Sequence, residues 1–285
     1  ESEWRPFFLW LHTKSLAPPW DAPLSFRRPF VEDDDERLPD VCDFADFTLA
    51  KNFDPDERLI YQRSYAAQMT AFDACLTPLM DVIREAPADR PTIFVLIGAR
   101  GIALGERQRI GLWDAYLHEE IVHAPLIIRG APGDTAARRC LTLASSLDLP
   151  ATLLDLYGLP ATTLARTGRS LLPLARGEAE SIRERMLLVG DREYAIRTPA
   201  WHLQQPRAML ETVEENPSKP FDMDDARGCR LFAKPDDRWE VNDVAGRARH
   251  VVEKLLPLAA DMRSALRTGD LDPPPLDESL RTLEG

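Results

Sequence analysis

Thr92-Ile-Phe-Val-Leu-Ile-Gly-Ala-Arg-Gly-Ile-Ala-Leu-Gly-Glu106 decides the reading of the fold. An uncharged apolar run that ends at glycines reads as a strand buried on both faces. It passes directly into a loop with Gly98 and Gly101. In an α/β sheet, the loop just past the carboxyl end of a strand is where ligands and catalytic groups gather.

Working outward, Leu59, Ile60, Ala67, Met69, Phe72, Leu76, Leu79, Met80 and Ile83 recur at spacings of three and four. This periodicity predicts a helix over 55–85. Asp54 is placed to cap it, Pro55 suits its first position, and Pro78 is a potential kink. On the other side, Ala124-Pro-Leu-Ile-Ile-Arg129 reads as a second strand, closed by Gly130 and Gly133. Helices alternating with strands predict an α/β fold with a mainly parallel sheet and flanking helices. Pro6-Phe-Phe-Leu-Trp-Leu-His12 reads as a further buried strand, and the prolines between 13 and 29 as a loop. The acidic run 32–37 reads as a solvated loop, because it lacks the alternating ligands and sharp turn of a calcium loop. Residues 145–157 read as a helix with Gly158 as its C-terminal cap.

After Gly177 the pattern changes. The segments 185–190, 194–198, 201–204 and 229–233 are short, separated by turns, and predict an antiparallel sheet. An amphipathic helix over 244–267 follows, interrupted by Pro257. The expected organisation is an α/β core over 1–180, a small α+β subdomain over 181–267, and a proline-rich tail over 268–285.

The net charge of −12 argues against a polyanionic partner such as nucleic acid. No run of 18 uncharged apolar residues exists, which excludes a helical membrane span. Cys42, Cys75, Cys140 and Cys229 are far apart and form no CxxC, so a structural zinc site is not expected. Free thiols are the favoured state over one or two disulfides. His118 and His123 stand five residues apart, which on a helix does not put both on one face as four would.

Several fragments, in order, resemble the sulfatase family. They are Pro6-Phe-Phe-Leu-Trp-Leu-His12 with Pro19-Trp20, and Tyr65-Ala-Ala-Gln-Met-Thr-Ala-Phe-Asp73. The strand 92–97 follows, then Leu112-Trp113, Glu119-Glu120 and Ala124-Pro-Leu-Ile-Ile-Arg-Gly130. The last are Leu147-Asp-Leu-Pro-Ala-Thr-Leu-Leu-Asp-Leu-Tyr-Gly-Leu-Pro160, Gly168-Arg-Ser-Leu-Leu-Pro173, Leu231-Phe232 and Asn242-Asp243. The resemblance spans residues 6–266 and covers the later part of a sulfatase. It implies an alkaline-phosphatase-like α/β core followed by a four-stranded antiparallel sheet with one packed helix.

The resemblance also implies where an active site would stand. In the family the strand ends in Ser-Asp-His-Gly-Glu, whose Asp and His or Asn serve a divalent metal. Here those positions are Ala99 and Arg100. The family's loop histidine falls at Ala17, and its lysine after Leu-Trp falls at Asp114 or Ala115. No cysteine lies in the Cys-x-Pro-x-Arg pattern that yields the formylglycine nucleophile. His12 matches another loop histidine, as a remnant ligand or an ordered histidine at a strand end. Arg100 is either an anion-binding group that takes over the charge of the lost metal or a surface ion pair.

The leading expectation is a catalytically inactive sulfatase-like protein or fragment that binds an anion or a partner. No cofactor is expected, and the ligand class is a sulfated or phosphorylated small molecule or glycan. The alternative is a genuine sulfate-ester hydrolase whose nucleophile and first metal ligands lie upstream of residue 1, with calcium or another divalent cation. A second alternative is an assembly subunit, whose sheet edge beside residues 7–11 is covered by a further copy or by an N-terminal segment.

Overall fold

The computed structural model describes residues 5, 7–14, 16–31, 37–87, 92–113, 116–130, 137–160, 167–208, 228–268 and 275–283. The chain divides into two compact units. The first holds 1–92 and 103–112, and the second 93–102 and 113–285. In chain order the elements of interest are α1 (Leu24–Arg27), β1 (Phe47–Thr48), α2 (Pro55–Arg84), β2 (Phe94–Ile97), β3 (Ala103–Leu104) and β4 (Arg109–Gly111). They continue with α3 (Glu119–Val122), β5 (Leu126–Arg129), α4 (Asp148–Leu156), α5 (Leu172–Arg176) and β6 (Met186–Val189). The last are β7 (Glu193–Arg197), β8 (Trp201–Pro206), β9 (Arg230–Ala233) and α6 (Arg249–Thr268).

In the first unit, α2 follows the predicted periodicity and runs on through Pro78. The Asp54 carboxylate accepts the Asp56 backbone N–H at 3.0 Å, satisfying a donor that the helix itself leaves unpaired. Asp54→Ala is expected to cost about 1 kcal/mol, read as a small drop in a helix-monitored thermal melt. Trp20 is buried against Phe44 and Tyr65, with ring centroids 4.9 and 5.3 Å away. Its backbone exchanges hydrogen bonds with Cys42. β4 lies between β1 and β3 in a small antiparallel sheet.

The aromatic run before His12 departs from expectation. Phe7, Phe8, Leu9, Trp10 and Leu11 are not a buried strand; they are 59–76 % exposed. Burial needs neighbours, and no described strand pairs with this segment. The acidic run at 32–36 lies outside the described residues.

In the second unit β2 pairs with β5, but antiparallel rather than parallel, with Val95 opposite Ile128 and Leu96 opposite Ile127. Every strand pairing among the described residues is antiparallel. A parallel return needs a crossover of a dozen or more residues that brings the chain back to the same end of the sheet. The helix of the second unit between these strands, α3, is a single turn.

The antiparallel sheet β6-β7-β8-β9 forms as the sequence indicated. Strand geometry sends successive side chains to opposite faces. One face carries Tyr194, Ile196, Leu203 and Leu231, which pack on Val251, Val252, Leu255, Leu256 and Ala259 of α6. Each such side chain contributes about 1.5–3 kcal/mol on burial. Leu276 and Leu280, from the stretch read as a tail, join this core. The opposite face carries Glu193, Arg197, His202, Gln204 and Arg230, and its strand positions are also largely buried.

All four cysteines are free thiols. Burial, with a smaller contribution from the Asp243 charge, pushes the Cys229 thiol up to about 12. Among the described residues no helix is long and apolar enough to cross a membrane.

Candidate functional site

The loop after β2 is held by close backbone approach. Gly98 N–H donates to the Pro125 carbonyl at 2.8 Å, and Gly101 N–H donates to the Ile121 carbonyl at 2.7 Å. A Cβ on Gly101 would lie 1.9 Å from the Glu120 carbonyl oxygen, and one on Gly98 would lie 2.7 Å from Pro125 Cδ. Both glycines are therefore required by space. Between them Ala99 and Arg100 are exposed on a loop fixed at both ends.

The other sequence candidates lie on other segments of the chain. His12 and Ala17 belong to the first unit, where His12 is exposed and Ala17 closes a turn onto the Lys14 carbonyl at 2.9 Å. Asp114 and Ala115 lie outside the described residues. His118 and His123 diverge as their spacing implied. His118 is buried, whereas the exposed His123 meets the Glu119 carboxylate at 2.8 Å.

A buried charge cluster on the polar face of the β6–β9 sheet was not expected. Glu240 lies at its centre, 3 % exposed, with its backbone at a left-handed φ of 54°. Its Oε2 is 2.6 Å from His118 Nδ1, and its Oε1 is 2.6 Å from His202 Nδ1 and 3.2 Å from Lys234 Nζ. Lys234 Nζ also lies 3.2 Å from Glu119 Oε2 and donates to the Arg238 carbonyl at 3.0 Å. Arg230 contacts His118 Nε2 at 2.9 Å and pairs with Glu193 at 2.9 Å. Glu193 in turn accepts the Leu117 N–H at 2.7 Å. Arginine has no acceptor, so Nε2 of His118 must be the lone-pair nitrogen and Nδ1–H donates to Glu240.

The protonation states follow from these contacts. Burial alone would raise Glu240, but the close approach of His118 and His202 and the charge on Lys234 outweigh it, so its carboxyl sits far below its ordinary value. Glu119 is likewise raised by burial and lowered by a larger effect of Lys234 and His123. Arg197 is lowered by burial, opposed by the charges of Glu119 and Glu240. Glu119, Glu193 and Glu240 thus balance Lys234, Arg197 and Arg230.

Part of this cluster was legible. In Trp201-His-Leu-Gln204 the alternation puts His202 and Gln204 on one face. Lys234 and Glu240 gave no signal, because they lie in the irregular segment between β9 and α6.

A family model described as Sulfatase matches residues 1–159. The chain belongs to the sulfatase family. No curated protein sequence matches this chain. A solved structure in complex with its substrate D-glucosamine-2-N,6-O-disulfate superposes with a TM-score of 0.60 at 21% identity. The alignment covers 75% of this chain and 42% of that chain. The phosphonate monoester hydrolase of Agrobacterium radiobacter gives 0.57 at 19% identity, covering 77% and 44%. The protein yidJ of Bacteroides fragilis gives 0.58 at 18% identity, covering 87% and 50%. At these identities the likeness establishes a fold shared with these structures. The chain spans half the length of these structures or less.

Proposed function

We propose that this chain is a sulfatase-family protein without metal-dependent sulfate-ester hydrolysis, and that its Arg100 loop binds a sulfate or phosphate group of a small molecule or glycan. The reading is carried by the pair Ala99 and Arg100, which stands where the resemblance places the family's metal-binding Asp and His or Asn. A divalent cation does not fit there: the Ala99 methyl offers no donor atom, and the Arg100 guanidinium carries N–H groups and a positive charge. An oxyanion does fit, since a guanidinium matches two anionic oxygens at once. The glycine-fixed loop keeps that group exposed. His12, the other anion-binding candidate, is an exposed imidazole of the first unit.

Titration calorimetry of the full chain with inorganic sulfate is expected to show binding that Arg100→Ala weakens about tenfold, the loss of one charge-assisted contact. Equal affinity in the two proteins would sink the anion site. Turnover of an aryl sulfate by the purified chain with calcium would sink the claim of inactivity.

Chain coverage favours a second reading. The solved relatives are about twice as long, so a complete hydrolase would draw its nucleophile and first carboxylates from residues outside 1–285. In that case turnover appears only when those residues are supplied. The exposed run Phe7–Leu11 favours a third, an assembly role. Sedimentation of the full chain as a single monomer up to high concentration would remove self-assembly from that reading.

A further inference from the structure

Among the described residues, Glu119, His202 and Glu240 each offer a ligand atom, and these atoms lie within 4.8 Å of one another. Two carboxylates alone would say little. The second observation is His202. It is 1 % exposed, and neither ring nitrogen makes an aligned hydrogen bond. Its Nδ1 is 2.6 Å from Glu240 Oε1, close enough for an ion pair but poorly directed for a hydrogen bond. A buried imidazole without a directed partner is costly in a folded interior. It is also the commonest protein ligand for borderline divalent metals.

The third observation is the ammonium already among the carboxylates. Lys234 Nζ stands 3.2 Å from Glu119 Oε2 and 3.2 Å from Glu240 Oε1, and the lysine is 2 % exposed. We propose that Glu119, His202 and Glu240 form an internal cation site of the zinc class, filled in this chain by its own Lys234. The donor set of one imidazole and two carboxylates suits zinc, whereas calcium and magnesium favour oxygen-only shells.

Charge decides which cation occupies the site. With Lys234 and Arg197 present, Glu119 and Glu240 are already neutralised. Adding a divalent ion would leave uncompensated positive charge in the interior, which is strongly unfavourable. Without the ammonium, the buried Glu240 and the partly buried Glu119 outweigh Arg197 by one negative charge, so a dication leaves one positive charge there rather than the two it would leave beside Lys234. The lysine therefore joins α3 to the sheet with no metal required. The proposal rests on the second unit and is independent of the role given to Arg100.

The test uses the full chain and zinc alone. Wild type is expected to bind no zinc that depends on His202, with an unchanged melting temperature. Lys234→Ala is expected to melt lower without metal, bind one zinc by calorimetry, and regain stability as it binds. Adding His202→Ala to Lys234→Ala is expected to weaken that zinc by about tenfold or more. If Lys234→Ala does not fold alone, refolding from denaturant with zinc but not with magnesium supports the site. Failure to bind or to refold with zinc overturns it. Zinc binding by wild type that His202→Ala abolishes overturns the assignment of Lys234 as the occupant.

Discussion

Glu240→Ala is expected to destabilise the second unit by about 3–5 kcal/mol, the cost of removing one partner from a buried charge pair. The carboxylate lies within 2.6 Å of both His118 and His202 and 3.2 Å from Lys234. Its loss leaves a fully buried ammonium with Glu119 as its remaining carboxylate. Backbone strain does not contribute to the difference, because glutamate and alanine meet the same left-handed φ of 54° at similar cost. Glu240→Gly serves as the control: it relieves the strain but still removes the charge, and is expected to be recovered only slightly relative to Ala. Chemical denaturation with each variant measures this. A loss under about 1 kcal/mol, the scale of an exposed ion pair, would show that the cluster is solvated rather than closed.

The same residue governs the response to acid. Glu240 and Glu119 are both held below their unfolded values. Below about pH 5 the unfolded chain therefore binds protons that the folded chain refuses, and stability falls as pH falls. Above that range both states are ionised, and this contribution is fully present. Wild type is expected to lose melting temperature steeply between about pH 5 and 3, and Glu240→Ala to follow a shallower slope. Parallel slopes would assign the acid response to other carboxylates.

Local patterning was the legible part of this molecule, and burial was the illegible part. The α2 periodicity, the Asp54 cap and the alternation in the β6–β9 sheet depend on neighbours along the chain, so spacing reveals them. Phe7 to Leu11 read as buried because they are apolar, yet burial depends on what else packs there, and they stand exposed. The parallel sheet was expected from strands alternating with helices, but strand direction depends on the path between β2 and β5, and α3 is too short for a crossover. Arg100 was singled out because the resemblance puts it where the family's metal ligand would stand, and the structure leaves it exposed on the loop past β2. Lys234 and Glu240 were invisible, because a lysine and a glutamate in an irregular segment ordinarily face water. Glu240 also stands at a left-handed φ of 54°, a conformation its residue type does not announce.

Gly101→Val tests whether the loop past β2 is as rigidly placed as its glycines imply. The obstacle is the backbone carbonyl of Glu120, 1.9 Å from where a Cβ would sit, and no rotamer change can move it aside. Either α3 or the loop must shift, and the 2.7 Å bond from Gly101 N–H to Ile121 breaks as it does. Overpacking together with one lost buried hydrogen bond gives an expected cost of about 3 kcal/mol. The informative comparison is with Arg100→Ala, which removes an exposed side chain and is expected to leave stability within about 0.5 kcal/mol of wild type. If the loop positions Arg100 for an anion, Gly101→Val loses stability and sulfate affinity together, while Arg100→Ala loses affinity alone. If Gly101→Val unfolds at the wild-type denaturant midpoint, the loop can yield at no cost, and a fixed anion site there has no structural basis.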